Sequence, residues 1–358
     1  MRSGNYVEEE GQRALPPRLR RHAIRNTQYA IRRRPGSAIS TKLLAYFALQ
    51  ALGVGSLLAN PSTRHPAPNA QLEERLAAAI QPWLEHMTWR KDFDAWRKRR
   101  IWQERYQDDN LRDLKAAFGD LSGKRLLDLG AGMGGLSVAL LLDSGPSGLR
   151  LQALDYNPDY CRISRLRAER YGLDLSMVVA AGEHLPYPDG SFDGIICLDV
   201  LEHVADVRAV LLEMHRVLKL GGLVITSVPN RHAFRDPHYH LPAINWLPRP
   251  AAELAIRASG RSKSGGPLRD RQELSELNTY TWATFKKLAA ETGFRARDLV
   301  RHRITRSEIR QLHGPRRRLL DLLLKTGLAW PLYSIYRYGW QGTYQILLVR
   351  RGGPMCNA

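Results

Sequence analysis

Residues 125–135 read Arg-Leu-Leu-Asp-Leu-Gly-Ala-Gly-Met-Gly-Gly, and residues 136–142 continue Leu-Ser-Val-Ala-Leu-Leu-Leu. An apolar run that breaks into glycines and then resumes as an apolar helical stretch reads as a buried strand, a sharp turn and a helix N-terminus. The alternation repeats downstream. Residues 151–156 (LQALDY), 177–180 (MVVA), 194–200 (GIICLDV) and 223–228 (LVITSV) are short apolar runs separated by stretches of helical spacing. Strands alternating with helices imply an α/β protein whose mostly parallel sheet is covered on both faces.

Gly130, Gly132 and Gly135 satisfy G-x-G-x-x-G, which by itself admits a nicotinamide or flavin enzyme. About twenty-five residues on, Asp155 ends the second apolar run, where a carboxylate accepts hydrogen bonds from both hydroxyls of a ribose. Five segments taken together narrow the field. In order the chain carries Asp-Leu-Gly-Ala-Gly-Met-Gly at 128–134, Leu-Asp-Tyr-Asn-Pro at 154–158, Glu-His-Leu-Pro-Tyr-Pro-Asp-Gly-Ser-Phe-Asp at 183–193, Leu-Asp-Val-Leu-Glu-His-Val at 198–204 and Leu-Lys-Leu-Gly-Gly at 218–222.

As a set, these segments resemble the class I S-adenosylmethionine-dependent methyltransferases of small-molecule and lipid-quinone type, over residues 120–230 and again 278–304. The resemblance implies a Rossmann-like, seven-stranded, mostly parallel sheet flanked by helices, with S-adenosyl-L-methionine as cofactor. It places Asp128 and the backbone around Gly130, Gly132 and Gly134 against the methionine part, Asp155 on the ribose and Tyr156 beside the adenine, with Leu198 also on the cofactor side. Relatives commonly carry an Asp just before the A-E-x-L stretch. Here that position is Ala181, followed by Gly182 and Glu183, and Glu183 is the expected substitute.

An activated methyl donor requires mainly alignment of the acceptor, and a hydroxyl acceptor also benefits from a general base. His203, in the Leu-Glu-His-Val segment, and His238 and His240, in Asp-Pro-His-Tyr-His-Leu-Pro at 236–242, are the candidates. Glu202 and His203 could equally cap a helix, and the second run could be a turn with satisfied histidines. Some quinone O-methyltransferases place metal ligands at a spacing that Asp199, Glu202 and His203 match loosely; no metal is assigned on that basis. Nothing resembles the Asn-Pro-Pro-Tyr motif of amino-methylating enzymes.

The chain has 358 residues and a formal charge of +19. Lys124 to Asn230 nevertheless holds 10 basic and 13 acidic residues, so the positive excess lies wholly outside it. Nine arginines fall in residues 1–34, and thirteen Arg or Lys lie between Arg295 and Arg351. Such flanks attract phosphate, whether of anionic lipid, of nucleic acid or of a diphosphate-bearing substrate, or form a solvated basic surface. A hydrophobic share of 44% excludes a mostly disordered chain. Cys161, Cys197 and Cys356 show no metal or disulfide spacing, which suits a reducing, cytoplasmic compartment, including the cytoplasmic face of a membrane.

The organisation read from the chain is a disordered basic tail (1–40), N-terminal helices (41–119), a core (120–305) with an acceptor-side insertion (231–278), a helical basic and aromatic insertion (306–341), a final strand (342–351) and a tail (352–358). Leu43 to Thr63 lacks charge and reads as a helix that is packed, interfacial or spanning. Leu72, Leu76, Ile80 and Leu84 share one face of a helix expected to cap the sheet. Arg316, Arg317 and Arg318 beside leucines, followed by Trp330, Tyr333, Tyr336, Tyr338 and Trp340, resemble an interfacial helix or a core helix with a basic rim. The expected acceptor is a small or lipid-linked hydroxyl compound near an anionic membrane surface; nucleic acid is the second reading, and a non-catalytic cofactor-binding relative the third.

Overall fold

A computed structural model describes residues 67–87, 90–261, 272–299, 322 and 325–352. The basic tail, the uncharged stretch at 43–63, residues 300–321 with the Arg316–Arg318 run, and the tail beyond 352 lie outside the described residues.

Seven strands form one sheet: β1 (Arg125–Leu129), β2 (Arg150–Asp155), β3 (Ser176–Val179), β4 (Phe192–Cys197), β5 (Leu218–Pro229), β6 (Phe294–Asp298) and β7 (Thr343–Arg350). Their spatial order is β3-β2-β1-β4-β5-β7-β6. β1 to β5 are parallel, and β7 runs antiparallel between β5 and β6. That inserted strand separates this sheet from the 3-2-1-4-5-6 order of dinucleotide-binding folds.

β1 and β4 are central and almost wholly buried, which explains why they read as continuous apolar runs without polar alternation. Successive residues take opposite faces. Leu127 and Ile195 pack toward α6 (Val207–Val217) and α8 (Trp282–Glu291), and Leu126 and Ile196 pack toward α3 (Asp108–Phe118), α4 (Gly135–Ser144) and α5 (Pro158–Glu169). Each fully buried Leu or Ile there contributes about 1.5–3 kcal/mol.

The N-terminal helices divide their work. α3 buries Leu111 and Leu114 against the sheet, whereas α1 (Ala70–Leu84) lays Leu76, Ile80 and Leu84 on Met133, Ile163 and Leu166, in the helical layer rather than on the sheet. Between them, α2 (Phe93–Ile101) buries no residue fully. Its anchor is electrostatic. Glu104, in the short turn Gln103–Tyr106, is buried between Arg167 and Arg170 of the α5 region and also accepts from the Tyr171 hydroxyl at 2.8 Å. Arg167 Nε reaches the Met133 carbonyl at 2.7 Å, tying this network to the glycine turn.

The insertion after β5 contains α7 (Arg249–Ala258), which starts on Pro248 and Pro250 and buries Ala252 and Ile256 in a small core of its own with Tyr239, Leu274 and Leu277. α9 (Ala329–Gly339) then leads into β7, with Arg337 buried and paired to Asp298 at 2.9 Å. No helix among the described residues is long and apolar enough to cross a membrane.

Candidate active site

A cleft of about 910 Å³ opens over the C-terminal ends of β1, β2 and β4. Three of the glycines between β1 and α4 adopt positive φ: Gly130 (71°), Gly132 (55°) and Gly134 (76°). A side chain at Gly130 would collide with Val200, and one at Gly134 would meet Ser164 at 2.8 Å, so both positions are fixed by packing as well as by backbone conformation. Gly130 and Gly132 line the cleft; Gly134 caps α4 and does not.

Asp155, at the tip of β2, is buried, and two backbone amides hold its carboxylate. Gly132 N–H donates to Oδ2 at 2.8 Å and Asn157 N–H to Oδ1 at 2.9 Å. The Asn157 side chain in turn accepts from the amides of Asp159 and Tyr160 and begins α5. One carboxylate thus joins the glycine turn, the end of β2 and the next helix. Tyr156 follows with half its surface exposed in the cleft.

Asp128 lines the cleft and accepts from the Ser137 hydroxyl; burial, with Asp155 nearby, pushes its pKa up to about 6. Leu198 and Gly182 also lie on the wall. Glu183 lines it too, but its Oε1 takes the amides of Ala205 at 3.1 Å and Asp206 at 3.4 Å, so this carboxylate braces the turn before α6.

Sequence reading missed the fourth wall. Arg100, Gln103, Gln107 and Asn110, from the N-terminal helices, all face the cleft. Gln107 donates to the Gln103 carbonyl and accepts from Asn110, a chain of amides at 3.0 and 2.8 Å. Arg100 Nε is buried without a hydrogen-bond partner among the described residues. A buried guanidinium with an unused donor calls for an anion.

The opposite end of the cleft holds the histidines. His203 Nδ1 lies 2.6 Å from Gln272 Oε1, and Gln272 Nε2 donates back to the His203 carbonyl at 3.2 Å. A carbonyl oxygen only accepts, so Nδ1 carries a proton, and in the neutral imidazole Nε2 holds the lone pair. His238 lines the same end, its ring edge-on to His203 with centroids 5.4 Å apart. Asp236 Oδ1 positions it by accepting from the amides of His238 and Tyr239, both at 2.8 Å. His240 does not line the cleft; it has positive φ (54°), and its carbonyl takes Arg261 Nη1 at 3.0 Å.

Beneath the pair, Glu202 is buried, with Oε1 3.8 Å from His238 Nε2 and Oε2 without a partner among the described residues. Burial, reinforced by Asp199, raises its pKa to about 8. Glu202, His203 and His238 each offer one ligand atom within 4.8 Å of the others, a geometry that can hold a metal ion. Asp199 is turned aside, its Oδ1 accepting from Ser227 at 2.8 Å.

The Methyltransferase domain family matches residues 127–226, the stretch that builds the glycine turn, Asp155 and the β4 and β5 walls. Over that stretch the chain is related to the S-adenosylmethionine-dependent methyltransferases of class I. A demethylmenaquinone methyltransferase of Geobacillus kaustophilus (strain HTA426) is 29% identical over 171 residues, covering 47% of this chain and 69% of that protein. A ubiquinone/menaquinone biosynthesis C-methyltransferase of Geobacter sp. (strain M21) is 31% identical over 109 residues, covering 29% and 46%. A ubiquinone biosynthesis O-methyltransferase of Xanthomonas oryzae pv. oryzae (strain PXO99A) is 34% identical over 120 residues, covering 33% and 48%. The chain thus spans between about half and two thirds of the length of these relatives.

The methyltransferase cleft fits S-adenosylmethionine on its own chemistry. The unused donor of Arg100 and the N-terminus of α4 suit an amino-acid carboxylate, the carboxylate of Asp155 on the cleft wall suits ribose hydroxyls, and Tyr156 offers an aromatic face.

Proposed function

We propose that this chain transfers a methyl group from S-adenosylmethionine to a hydroxyl of a small-molecule or lipid-linked acceptor near a membrane surface. The observation that carries this reading is the two-ended cleft: carboxylate, glycine turn and buried guanidinium at one end, and a histidine pair over a buried Glu at the other.

When bound, the cofactor supplies a methyl group already activated by its sulfonium. The chain therefore has to hold the acceptor and remove its proton. His203 Nε2 is the base, because Gln272 fixes the proton on Nδ1. His238 stands edge-on beside it above Glu202 and orients the acceptor hydroxyl. A phenol deprotonated there is nucleophilic at oxygen and at its ortho carbon. The same base thus serves O- or C-methylation, and two of the relatives are named for one or the other.

The test is methyl transfer from labelled S-adenosylmethionine to a panel of short-chain dihydroxybenzenes, quinols and RNA, with and without EDTA. Product on a phenolic acceptor in EDTA supports the reading. Product on RNA alone, or none on any acceptor despite cofactor binding, overturns it. Loss in EDTA restored by Mg²⁺ would move the proton-removing role from His203 to an ion held by Glu202, His203 and His238.

A further inference from the structure

α9 is inverted relative to an ordinary surface helix. Its arginine, Arg337, is completely buried, whereas Leu328, Leu332 and Ile335 expose 53%, 45% and 70% of their surface. At 100° per residue these three fall within a 60° arc directly opposite Arg337, so they form one apolar ridge. The ridge runs on into Trp340, 38% exposed, which meets Trp246, 49% exposed, at a ring distance of 5.6 Å; Leu247 beside it is also exposed.

Cations border the ridge. Tyr338, on the flank of α9, forms a groove with Trp282, Lys286, Arg295, Arg297 and Arg351 along the edge strand β6. The groove's one acid, Asp298, is buried and committed to Arg337. Lys286, Arg295, Arg297 and Arg351 are exposed, and their side chains make no ion pair among the described residues. An apolar ridge with an indole belt and an uncompensated basic margin matches the layered chemistry of an anionic bilayer, with hydrocarbon below phosphate. A protein partner would match the ridge but would need its own acidic rim.

We infer that α9, with Trp340 and Trp246, is the face by which this chain lies on an anionic phospholipid surface, with the Lys286–Arg297 groove taking lipid phosphate. The inference deepens the proposed reading, because Trp340 stacks on Phe234 at 4.4 Å, four residues before His238, and so sets the bilayer beside the acceptor end of the cleft.

The experiment is vesicle flotation of the full chain with phosphatidylcholine alone and with about one third phosphatidylglycerol, at low and high salt. The wild type binds the anionic vesicles and releases in salt. Leu332→Ser/Ile335→Ser and Arg295→Gln/Arg297→Gln each weaken binding by about tenfold or more, with melting temperature and S-adenosylhomocysteine affinity unchanged. Equal binding to both vesicle types, binding untouched by the ridge variant, preference for RNA, or a concentration-dependent dimer that the ridge variant dissolves would each overturn the inference. Flotation needs neither cofactor nor acceptor, so failed methyl transfer with intact flotation counts against the reaction and not against the docking face.

Discussion

Replacing Asp155 by Ala tests the cofactor end of the cleft at its most connected atom pair. The carboxylate is buried and already takes the Gly132 and Asn157 amides at 2.8 and 2.9 Å, so the substitution has two separable costs. In the unliganded protein it leaves two backbone donors without their acceptor, a loss of about 1–3 kcal/mol of folding stability. On binding it removes charge-assisted hydrogen bonds to the ribose, net of water that replaces part of them, or about 1–3 kcal/mol. At about 1.4 kcal/mol per tenfold, that corresponds to a Kd raised by roughly 5- to 150-fold. Isothermal titration calorimetry with S-adenosylhomocysteine measures the second cost without turnover, and thermal melting measures the first. Asp155→Asn, which keeps one acceptor oxygen and drops the charge, falls between the two. A Kd within about twofold of wild type in a folded Ala variant would refute the ribose assignment.

Three other predictions follow from neighbouring groups. His203→Gln lowers the rate of methyl transfer by about 10²- to 10⁴-fold with cofactor affinity unchanged, and His238→Gln lowers it less; the reverse order in single-turnover assays would make His238 the base. Asp128 has its pKa raised to about 6 by burial, so its favourable contribution is fully present below the ordinary carboxylate range and is lost as pH rises through about 6. Asp128→Asn should flatten that part of the stability profile in denaturant titrations across pH 4.5–7, and an unaltered slope would place the protonation elsewhere. Glu104→Gln leaves Arg167 and Arg170 buried without their counter-charge and should cost about 3–5 kcal/mol in chemical denaturation, whereas a loss under about 1 kcal/mol would show that the network is solvated.

The parts of this fold that were legible in the sequence are those whose physics is local. β1, β2 and β4 are covered on both faces and so read as largely apolar runs, and the three alternating glycines mark a turn where the backbone takes positive φ three times in five residues. The antiparallel place of β7 was not legible, because Tyr-Gln-Ile-Leu-Leu-Val reads as a strand in either direction. The N-terminal cleft wall was hidden for a different reason. The segment around α2 is charged and buries no full side chain of the helix, so it carries no amphipathic signal; what holds it is Glu104, whose partners lie 63 and 66 residues away. Gln272, which sets the His203 tautomer, is 69 residues from that histidine and was equally invisible.

The two ends of the cleft are built with different stiffness. At the cofactor end, Asp155, the glycine turn and the Glu104–Arg167–Arg170 network are buried and cross-linked through β1, β2 and α5, which preorganises them. The acceptor end is assembled from three loop segments. Asn278 donates to the carbonyls of Leu201 and Val204, Gln272 joins His203 to the Tyr239 hydroxyl through its backbone oxygen, and Asp236 supports His238. Asn230 ties the start of the His238 loop to the carbonyl of Gln341, just past α9. The joints share the small apolar core of Tyr239, Leu274 and Leu277, separate from the cores that flank the sheet. A surface that fixes α9 and Trp340 restrains the loop carrying His238 and leaves Asp155 and Gly132 as they were. Such a division suits a scaffold in which one donor site is kept rigid while the acceptor side is built from loops that change readily between proteins.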